Sequence, residues 1–355
     1  MYSIRTKNLT KRFGDLTAVV NLTLTVAPGE LFGLVGSDGA GKTTTLRMLA
    51  GIMDPTEGDA WVLERHTVRE TGAIAEDLGY MSQRFGLYPD LTVQENLHFF
   101  ADLHSLTRNE REKQAERLLS FSNLAPFKKR LAGNLSGGMK QKLGLACALI
   151  HTPKILLLDE PTNGVDPVSR RDFWRILYSL LADGVTILIA TAYLDEAERC
   201  NRVGLIHQGR LLACDTPENL KKLMKGTILE LRATEPRRVA RLLREGIPDA
   251  QVGLFGDRLH IVTEDAASVT SRIETLFKES SLALPLLRLI EPSLEDIFVS
   301  VMAEQEVVPS NILSFASNPS KPPLDRGGLK ASPPVKGGLR GVTCRCPRGR
   351  CPGCR

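Results

Sequence analysis

The first 222 residues alternate short apolar runs with segments of helical periodicity. Continuous apolar runs bounded by turn residues, at 31–35, 155–158 and 185–190, are typical of buried parallel strands. Apolar residues at helical spacing predict helices at 41–49, 109–119, 138–150 and 169–181. A strand followed by a helix, several times over, predicts an α/β fold with a mainly parallel sheet.

The pattern of apolar and polar residues changes near residue 226. The pattern predicts a strand at 227–232, a helix at 237–245, a hairpin of 252–255 and 259–262, a helix at 266–278, a strand at 284–290 and a helix from Ser293. The order βαββαβ plus a helix predicts a small α+β domain, a ferredoxin-like sandwich, at 226–304.

Periodicity is lost from about residue 305. Residues 305–355 contain eight Pro and seven Gly, and the stretch 321–330 is echoed at 332–340. Such a composition buries too little apolar surface to build a core, so we expect a disordered tail.

The tail also holds four of the seven cysteines: Cys344, Cys346, Cys351 and Cys354. The C-x₂-C spacing suits zinc, and a small zinc knuckle is one interpretation. The loop between the pairs is short and no apolar residues support it. The alternative, that the tail has no evolved role, is therefore preferred.

The net charge of +5 comes from the tail. Residues 305–355 contain nine Lys and Arg against two acidic residues, whereas the other 304 contain 37 basic and 39 acidic residues. Because the folded part is close to neutral, we expect no nucleic-acid partner. No apolar run approaches the roughly 18 residues that span a bilayer, and the polar residues 1–11 predict no secretory signal. A role at a membrane would therefore require a docking partner.

A glycine-rich segment follows the first predicted strand and opens a helix. It reads Gly36, Ser37, Asp38, Gly39, Ala40, Gly41, Lys42, Thr43 and Thr44, and matches the phosphate-binding pattern GxxxxGK[ST] in full. Its glycines let backbone N–H groups converge on phosphate oxygens at a helix N-terminus. We expect Lys42 to reach the β- and γ-phosphates and Thr43 to offer its hydroxyl to Mg²⁺.

Two adjacent acids end another apolar strand. Asp159 and Glu160 follow residues 155–158, and strand alternation would point their side chains to opposite faces. Acidic residues in a buried strand usually have a functional role. We expect Asp159 to hold the Mg²⁺ shell and Glu160 to take the proton from an attacking water.

The segment LSGGMKQ at 135–141 separates this chain from other P-loop proteins. It resembles the signature sequence of ATP-binding cassette (ABC) proteins, about twenty residues before the acidic strand. In that family, the residues that correspond to Ser136, Gly137 and Gly138 contact the γ-phosphate of ATP bound to the opposite protomer. The resemblance therefore implies a dimer of cassettes with two ATP sandwiched between them, and leaves open a homodimer, a heterodimer or one half of a tandem protein.

Other positions resemble further elements of the same family. Phe13 matches the aromatic residue that stacks on adenine, although an edge strand could also place it there for packing. Gln83 matches the glutamine that contacts Mg²⁺ and water and relays to the membrane subunit, and residues 164–167 match the loop that reaches across the dimer. The resemblance implies a cassette at 1–222, with a helical subdomain at about 84–150. Residues 226–304 resemble the accessory domain of drug and antibiotic exporters.

One position departs from the family pattern. A histidine that contacts the γ-phosphate is expected after Thr191, and this chain has Ala192. Losing one such contact costs on the order of 10²–10³ in rate. The chain resembles the first cassette of tandem exporter ATPases, a group in which one nucleotide site is sometimes impaired.

The resemblance implies a cytoplasmic ATPase that uses ATP and Mg²⁺. It would lie on the inner face of the cell membrane and energise export through a separate ABC-2 type membrane protein. Because Ala192 replaces the expected histidine, a regulatory cassette that binds ATP without appreciable turnover is an alternative. A non-transport ABC ATPase acting on ribosomes or DNA is a further alternative, but such proteins usually carry two cassettes or long inserted segments, and neither occurs here.

Overall fold

The computed structural model describes residues 1–84, 86–280, 282–283 and 286–306. The strands are β1 Ile4–Phe13, β2 Leu16–Leu22, β3 Thr25–Val26, β4 Leu31–Val35, β5 Glu57–Val62, β6 Arg65–His66, β7 Leu78–Met81, β8 Ile155–Asp159, β9 Thr186–Thr191, β10 Arg202–His207, β11 Arg210–Asp215, β12 Thr227–Arg232, β13 Gln251–Phe255, β14 Arg258–Thr263 and β15 Arg288–Ile290. The helices are α1 Lys42–Leu49, α2 Thr71–Asp77, α3 Val93–Leu103, α4 Arg108–Phe121, α5 Gly137–Ala148, α6 Pro167–Ala182, α7 Leu194–Ala197, α8 Pro217–Lys221, α9 Pro236–Gly246, α10 Ala266–Glu279 and α11 Leu294–Glu306. The tail predicted from residue 305 lies outside the described residues from 307 onward, and its four cysteines lie there with it.

A six-stranded sheet forms the centre of the fold, in the order β11-β10-β4-β9-β8-β7. All neighbours pair in parallel except β11, which lies antiparallel to β10 at one edge. Every residue of β4, β8 and β9 is buried, as continuous apolar runs require when both faces of a sheet are covered. The predicted mainly parallel sheet is confirmed. The carboxyl ends of β4, β8 and β9 meet at one edge.

A second, antiparallel sheet covers one face of the first. Its order is β2-β1-β5-β6, with β3 also on β1. Leu9, Val19 and Leu22 from this sheet share a core with Phe32 and Leu46. Sequence periodicity did not predict these strands, because two register shifts between β1 and β2 interrupt the alternation of buried and exposed positions.

Helices α3 to α6 supply the main apolar side chains on the other face of the central sheet. Leu97, Leu118, Leu143 and Trp174 belong to one core cluster with Leu158 of β8. Local sequence fixes where two of these helices begin. Capping boxes pair Thr92 with Glu95 before α3, and Thr107 with Glu110 before α4.

The C-terminal part contains a four-stranded antiparallel sheet in the order β13-β14-β12-β15. Helices α9 and α10 cover one face through residues such as Leu243 and Phe277, as expected for a ferredoxin-like sandwich. The last helix behaves differently. In α11, Leu294, Ile297 and Phe298 belong to the core cluster of the central sheet, so this helix packs on the cassette.

The length and polarity of the helices bear on membrane insertion. Among the described residues, no helix combines the length and the apolar character that crossing a bilayer requires.

Candidate functional site

The glycine-rich segment turns the chain from buried strand β4 into helix α1. Gly41 immediately precedes the helix with φ of 102°, in the left-handed region that glycine adopts readily. A Cβ at Gly41 would come within 2.4 Å of the Ala18 carbonyl oxygen. Glycine is therefore required here by both backbone conformation and space.

The Lys42 ammonium is almost completely buried and carries three polar contacts. Its Nζ donates to the carbonyl oxygens of Gly36 at 2.7 Å and Ser37 at 3.0 Å. It also lies 3.3 Å from Oε1 of Glu160, with 4% of the Lys42 side chain exposed. The loop carbonyls and Glu160 thus hold the cation at the mouth of the phosphate loop, where an anionic ligand could replace them.

The two acids at the end of β8 both face α1. Thr43 donates its hydroxyl hydrogen to Oδ1 of Asp159 at 2.9 Å, while Glu160 pairs with Lys42. Strand alternation had predicted opposite faces, and this prediction is wrong. Glu160 has φ of 47°, a left-handed conformation that ends the strand and turns its side chain toward the loop.

The second carboxylate oxygen of Asp159 is a buried acceptor without a hydrogen-bond partner among the described residues. Burial raises the pKa of the Asp159 carboxyl, and the hydrogen bond from Thr43 opposes part of that rise. An ionised carboxylate in this position favours a nearby cation, because a cation would offset the cost of burial.

Glu160 receives two amide groups on its other oxygen. Gln83, which follows β7, donates to Oε2 at 3.1 Å, and Asn163 donates to the same oxygen at 3.3 Å. The structure therefore joins the predicted Gln83 and Glu160. Asn163 was not predicted, although its place three residues after Glu160 is the signal that could have found it.

A pocket opens over these groups, lined by Phe13, Leu16, Ala18, Asp38, Gly39, Ala40, Gly41, Lys42, Thr43, Thr44, Gln83 and Glu160. Phe13 ends β1 and is 45% exposed, and the Lys11 ammonium lies 5.3 Å from the centre of its ring. A flat ligand could stack on the exposed part of the ring. None of the six histidines, all of them in the described ranges, lines this pocket. No histidine from elsewhere in the chain therefore lines the pocket in place of the one expected at position 192.

The signature residues stand apart from this pocket. Ser136 caps helix α5, its hydroxyl accepting the Met139 N–H at 3.3 Å, and Gly137 and Gly138 begin the helix. A Cβ at Gly138 would meet the Ser169 side chain at 2.5 Å, so this position packs against α6. The predicted ATP-contacting residues thus form two groups within one chain, and the signature group is absent from the pocket lining.

The segment after β9 is tied to the loop after β8 by a buried carboxylate. Glu196 is fully buried and accepts hydrogen bonds from the hydroxyls of Thr162 and Thr191. Arg170 of α6 lies 3.5 Å from the same carboxylate. This connection was not predicted, because Glu196 lies in a helix of four residues with no periodic pattern.

Comparison with known proteins identifies relatives of the chain. Residues 19–163 match the family described as ABC transporter. The chain is 52% identical over 225 residues to YbhF of Escherichia coli K12, a probable multidrug ABC transporter ATP-binding protein. That match covers 63% of the chain and 39% of YbhF, so the chain spans well under half the length of this relative.

Two further proteins extend the similarity. The daunorubicin resistance ATP-binding protein DrrA2 of Streptomyces coeruleorubidus is 32% identical over 305 residues, covering 84% of the chain and 94% of DrrA2. The dimeric ATP-binding cassette MJ0796, solved in a post-hydrolysis state with ADP and Pi, matches with a TM-score of 0.56 at 28% identity. This match covers 60% of the chain and 98% of MJ0796.

Proposed function

The chain belongs to the ABC transporter family, and from this premise we propose that it is the ATP-binding and ATP-hydrolysing subunit of an exporter. The resemblance based on the signature segment is thereby confirmed. The observation that carries the proposal is the convergence of Lys42, Thr43, Asp159, Glu160 and Gln83 at the carboxyl ends of the parallel strands, beneath one pocket.

The phosphate loop and Lys42 would bind the β- and γ-phosphates of ATP. The ammonium would exchange the carbonyls of Gly36 and Ser37 for phosphate oxygens. Phe13, exposed at the rim, would stack on the adenine. The remaining loop residues, Asp38 to Thr44, would surround the phosphates with backbone N–H groups.

Thr43, Asp159 and Gln83 would hold Mg²⁺, which when bound neutralises charge on the phosphates. The orphaned Oδ2 of Asp159 beside the Thr43 hydroxyl fits such an ion. Within the described ranges, no group of three or more His, Cys, Asp and Glu side chains could hold a metal. A site completed by phosphate oxygens and water is the usual arrangement for Mg²⁺ with a nucleotide.

Glu160 would act as the general base. Once Lys42 contacts phosphate, Oε1 of Glu160 becomes free to accept a proton from a water molecule. The water oxygen then bonds to the γ-phosphorus, and the bond between that phosphorus and the bridging oxygen breaks, so that ADP and phosphate leave. Gln83 would orient the water from the other side of the carboxylate.

A second cassette is the first partner that we propose. Ser136, Gly137 and Gly138 cap a helix away from the chain's own nucleotide pocket, so they suit an ATP bound to a second protomer. MJ0796, of similar fold, forms a dimer. ATP binding would close the two cassettes on each other, and hydrolysis would release them.

The second proposed partner is an integral membrane protein of the ABC-2 type, to which the chain would dock at the cytoplasmic face of the membrane. DrrA2, a daunorubicin resistance ATP-binding protein, is similar along 94% of its length, beyond the cassette and through the C-terminal domain. This similarity favours export over an action on ribosomes or DNA.

The test is ATP turnover by the full chain with Mg²⁺, beside the variants Glu160→Gln and Lys42→Met. We expect ATP binding and turnover in the parent, binding with at least a 10²-fold lower kcat in Glu160→Gln, roughly the loss of a general base, and weak binding in Lys42→Met. Lys154→Met is the matched control, because Lys154 pairs with Asp77 on the surface. Tight binding with no turnover in the parent would contradict hydrolysis and indicate a regulatory cassette.

A further inference from the structure

The residue after Ala192 contacts the catalytic loop. The hydroxyl of Tyr193 donates to Oδ1 of Asn163 at 3.4 Å, and the Arg170 guanidinium lies 4.6 Å from the centre of the Tyr193 ring. The phenol is therefore held between α6 and the loop after β8, although Tyr193 is 36% exposed. A guanidinium over an aromatic face favours this ring orientation.

Asn163 connects this phenol to Glu160. Its Nδ2 donates to Oε2 of Glu160 at 3.3 Å, while its backbone N–H donates to the Glu160 carbonyl at 3.2 Å. The amide orientation follows from chemistry. A phenol hydrogen needs an acceptor and a carboxylate needs a donor, so the amide oxygen faces Tyr193 and the NH₂ faces Glu160.

The backbone on both sides of this chain of contacts is fixed. Tyr193 N–H donates to the Thr191 hydroxyl at 3.0 Å, and that hydroxyl in turn donates to Glu196 at 3.0 Å. Thr162, next to Asn163, bonds to the same buried Glu196. Tyr193 and Asn163 thus project from two segments that share one anchor, so their relative position is set by the fold.

We propose that Tyr193 is a positioning residue that holds the Glu160 carboxylate through Asn163. The proposal rests on the proposed hydrolytic function. When ATP draws Lys42 away from Oε1, the remaining contacts of the carboxylate are on Oε2, from Gln83 and Asn163. Because the phenol fixes which way the Asn163 amide faces, it keeps a donor on Oε2 and leaves Oε1 free for water. Tyr193 would thus keep the Glu160 carboxylate oriented in a site where Ala192 provides no contact to the γ-phosphate.

The test compares Tyr193→Phe with the parent in the full chain. The substitution removes the hydroxyl and keeps the ring beneath Arg170. We expect kcat for ATP to fall about three- to tenfold, the effect of losing one neutral hydrogen bond, with KM and ATP affinity within about twofold. Tyr178→Phe, which removes the phenol of an exposed tyrosine on α6, is the matched control and should behave as the parent.

A double-mutant cycle shows whether Tyr193 acts through Asn163. In the Asn163→Ala background, Tyr193→Phe should produce no further loss of kcat, because the intermediate amide is gone. An undiminished loss there, or an unchanged kcat in Tyr193→Phe alone, overturns the proposal. A fall in ATP affinity as large as that in kcat also overturns it, since it would indicate general damage to the site.

Failure of the proposed function gives a different result, namely no turnover in the parent above that of Glu160→Gln. The contact is then judged from a crystal structure of the parent with Mg²⁺ and ATP, which a protein without turnover keeps intact. A Tyr193 hydroxyl within hydrogen-bond distance of Asn163 supports the positioning role, and a phenol turned away from Asn163 overturns it.

Discussion

Thr43 and Asp159 are joined across the phosphate loop by a hydrogen bond of 2.9 Å, which leaves Oδ2 of Asp159 buried without a partner among the described residues. Burial raises the pKa of the Asp159 carboxyl, and Arg47 and Lys42 offset only part of that rise, so a cation bound at Oδ2 would stabilise the ionised carboxylate further. The pair therefore links the stability of the nucleotide-free protein to the occupancy of the proposed Mg²⁺ site.

Replacing Asp159 by Asn should stabilise the nucleotide-free protein and abolish its response to Mg²⁺-ATP. Removing the buried charge should gain about 1–2 kcal/mol, or roughly 2–4 °C in Tm, because no cation is then needed. Thermal unfolding with and without Mg²⁺-ATP measures both effects. The control is Asp183→Asn, at an exposed helix C-cap. A lower Tm in Asp159→Asn than in the parent would contradict the argument.

Introducing a histidine at Ala192 should increase turnover. Ala192 is exposed and follows directly after β9, so an imidazole can be accommodated without displacing core residues. A donor to the γ-phosphate should raise kcat by about 10- to 100-fold, with little change in KM. Steady-state kinetics of Ala192→His beside Ala192→Gln separates the imidazole from mere side-chain size. Equal rates in the parent and both variants would show that the missing histidine does not limit turnover.

The parts of the site that are local in sequence could be predicted. The phosphate loop joins a buried strand to a helix, and the pattern at residues 36–44 fixes both ends. The strand order could not be read from periodicity, yet it is the parallel pairing of β7, β8 and β9 that brings Gln83 beside Glu160. Resemblance to a family supplied Gln83, since nothing in its surroundings sets it apart.

The contacts of Tyr193, Asn163 and Glu196 escaped prediction for another reason. Each depends on two segments about 30 residues apart that meet only after the sheet has formed. The orientation of Glu160 was predicted wrongly because strand alternation ends where its φ becomes positive. Backbone conformation at a strand end is not encoded in a hydrophobic pattern.

The signature segment should act on the nucleotide of a second protomer, which a mixing experiment can test. A Cβ at Gly137 would meet nothing closer than the Gly164 carbonyl oxygen at 3.9 Å, so Gly137→Asp should fold normally. Its carboxylate would repel the γ-phosphate. Lys42→Met and Gly137→Asp should each be inactive alone.

An equimolar mixture should regain activity, because a mixed dimer has one composite site with an intact Lys42 and an intact Gly137. Random pairing makes half of the dimers mixed with one good site each, so we expect about a quarter of parental ATPase activity per protomer. Circular dichroism of each variant controls for folding. An inactive mixture of two folded, dimerising variants would contradict action across the dimer.

Stability below neutral pH should depend on a stacked histidine pair beside the central sheet. The ring centres of His104 and His151 lie 3.7 Å apart, with an angle of 6° between the ring planes. Nε2 of His151 is 3.1 Å from the Leu78 carbonyl oxygen. Burial and the neighbouring His104 lower the pKa of His151 to about 4, although the Leu78 carbonyl and Asp77 oppose the shift. Burial also lowers the pKa of His104.

The sign follows from proton binding. Between about pH 6.5 and pH 4, His151 is protonated in the unfolded chain but stays neutral in the folded protein. The free energy of unfolding therefore falls as the pH decreases through this range. His151→Phe keeps a ring against His104 and removes the titration. We therefore expect the variant to lose less stability than the parent between pH 7 and pH 4.5 in urea unfolding. An equal loss in both proteins would show that His151 does not control acid stability.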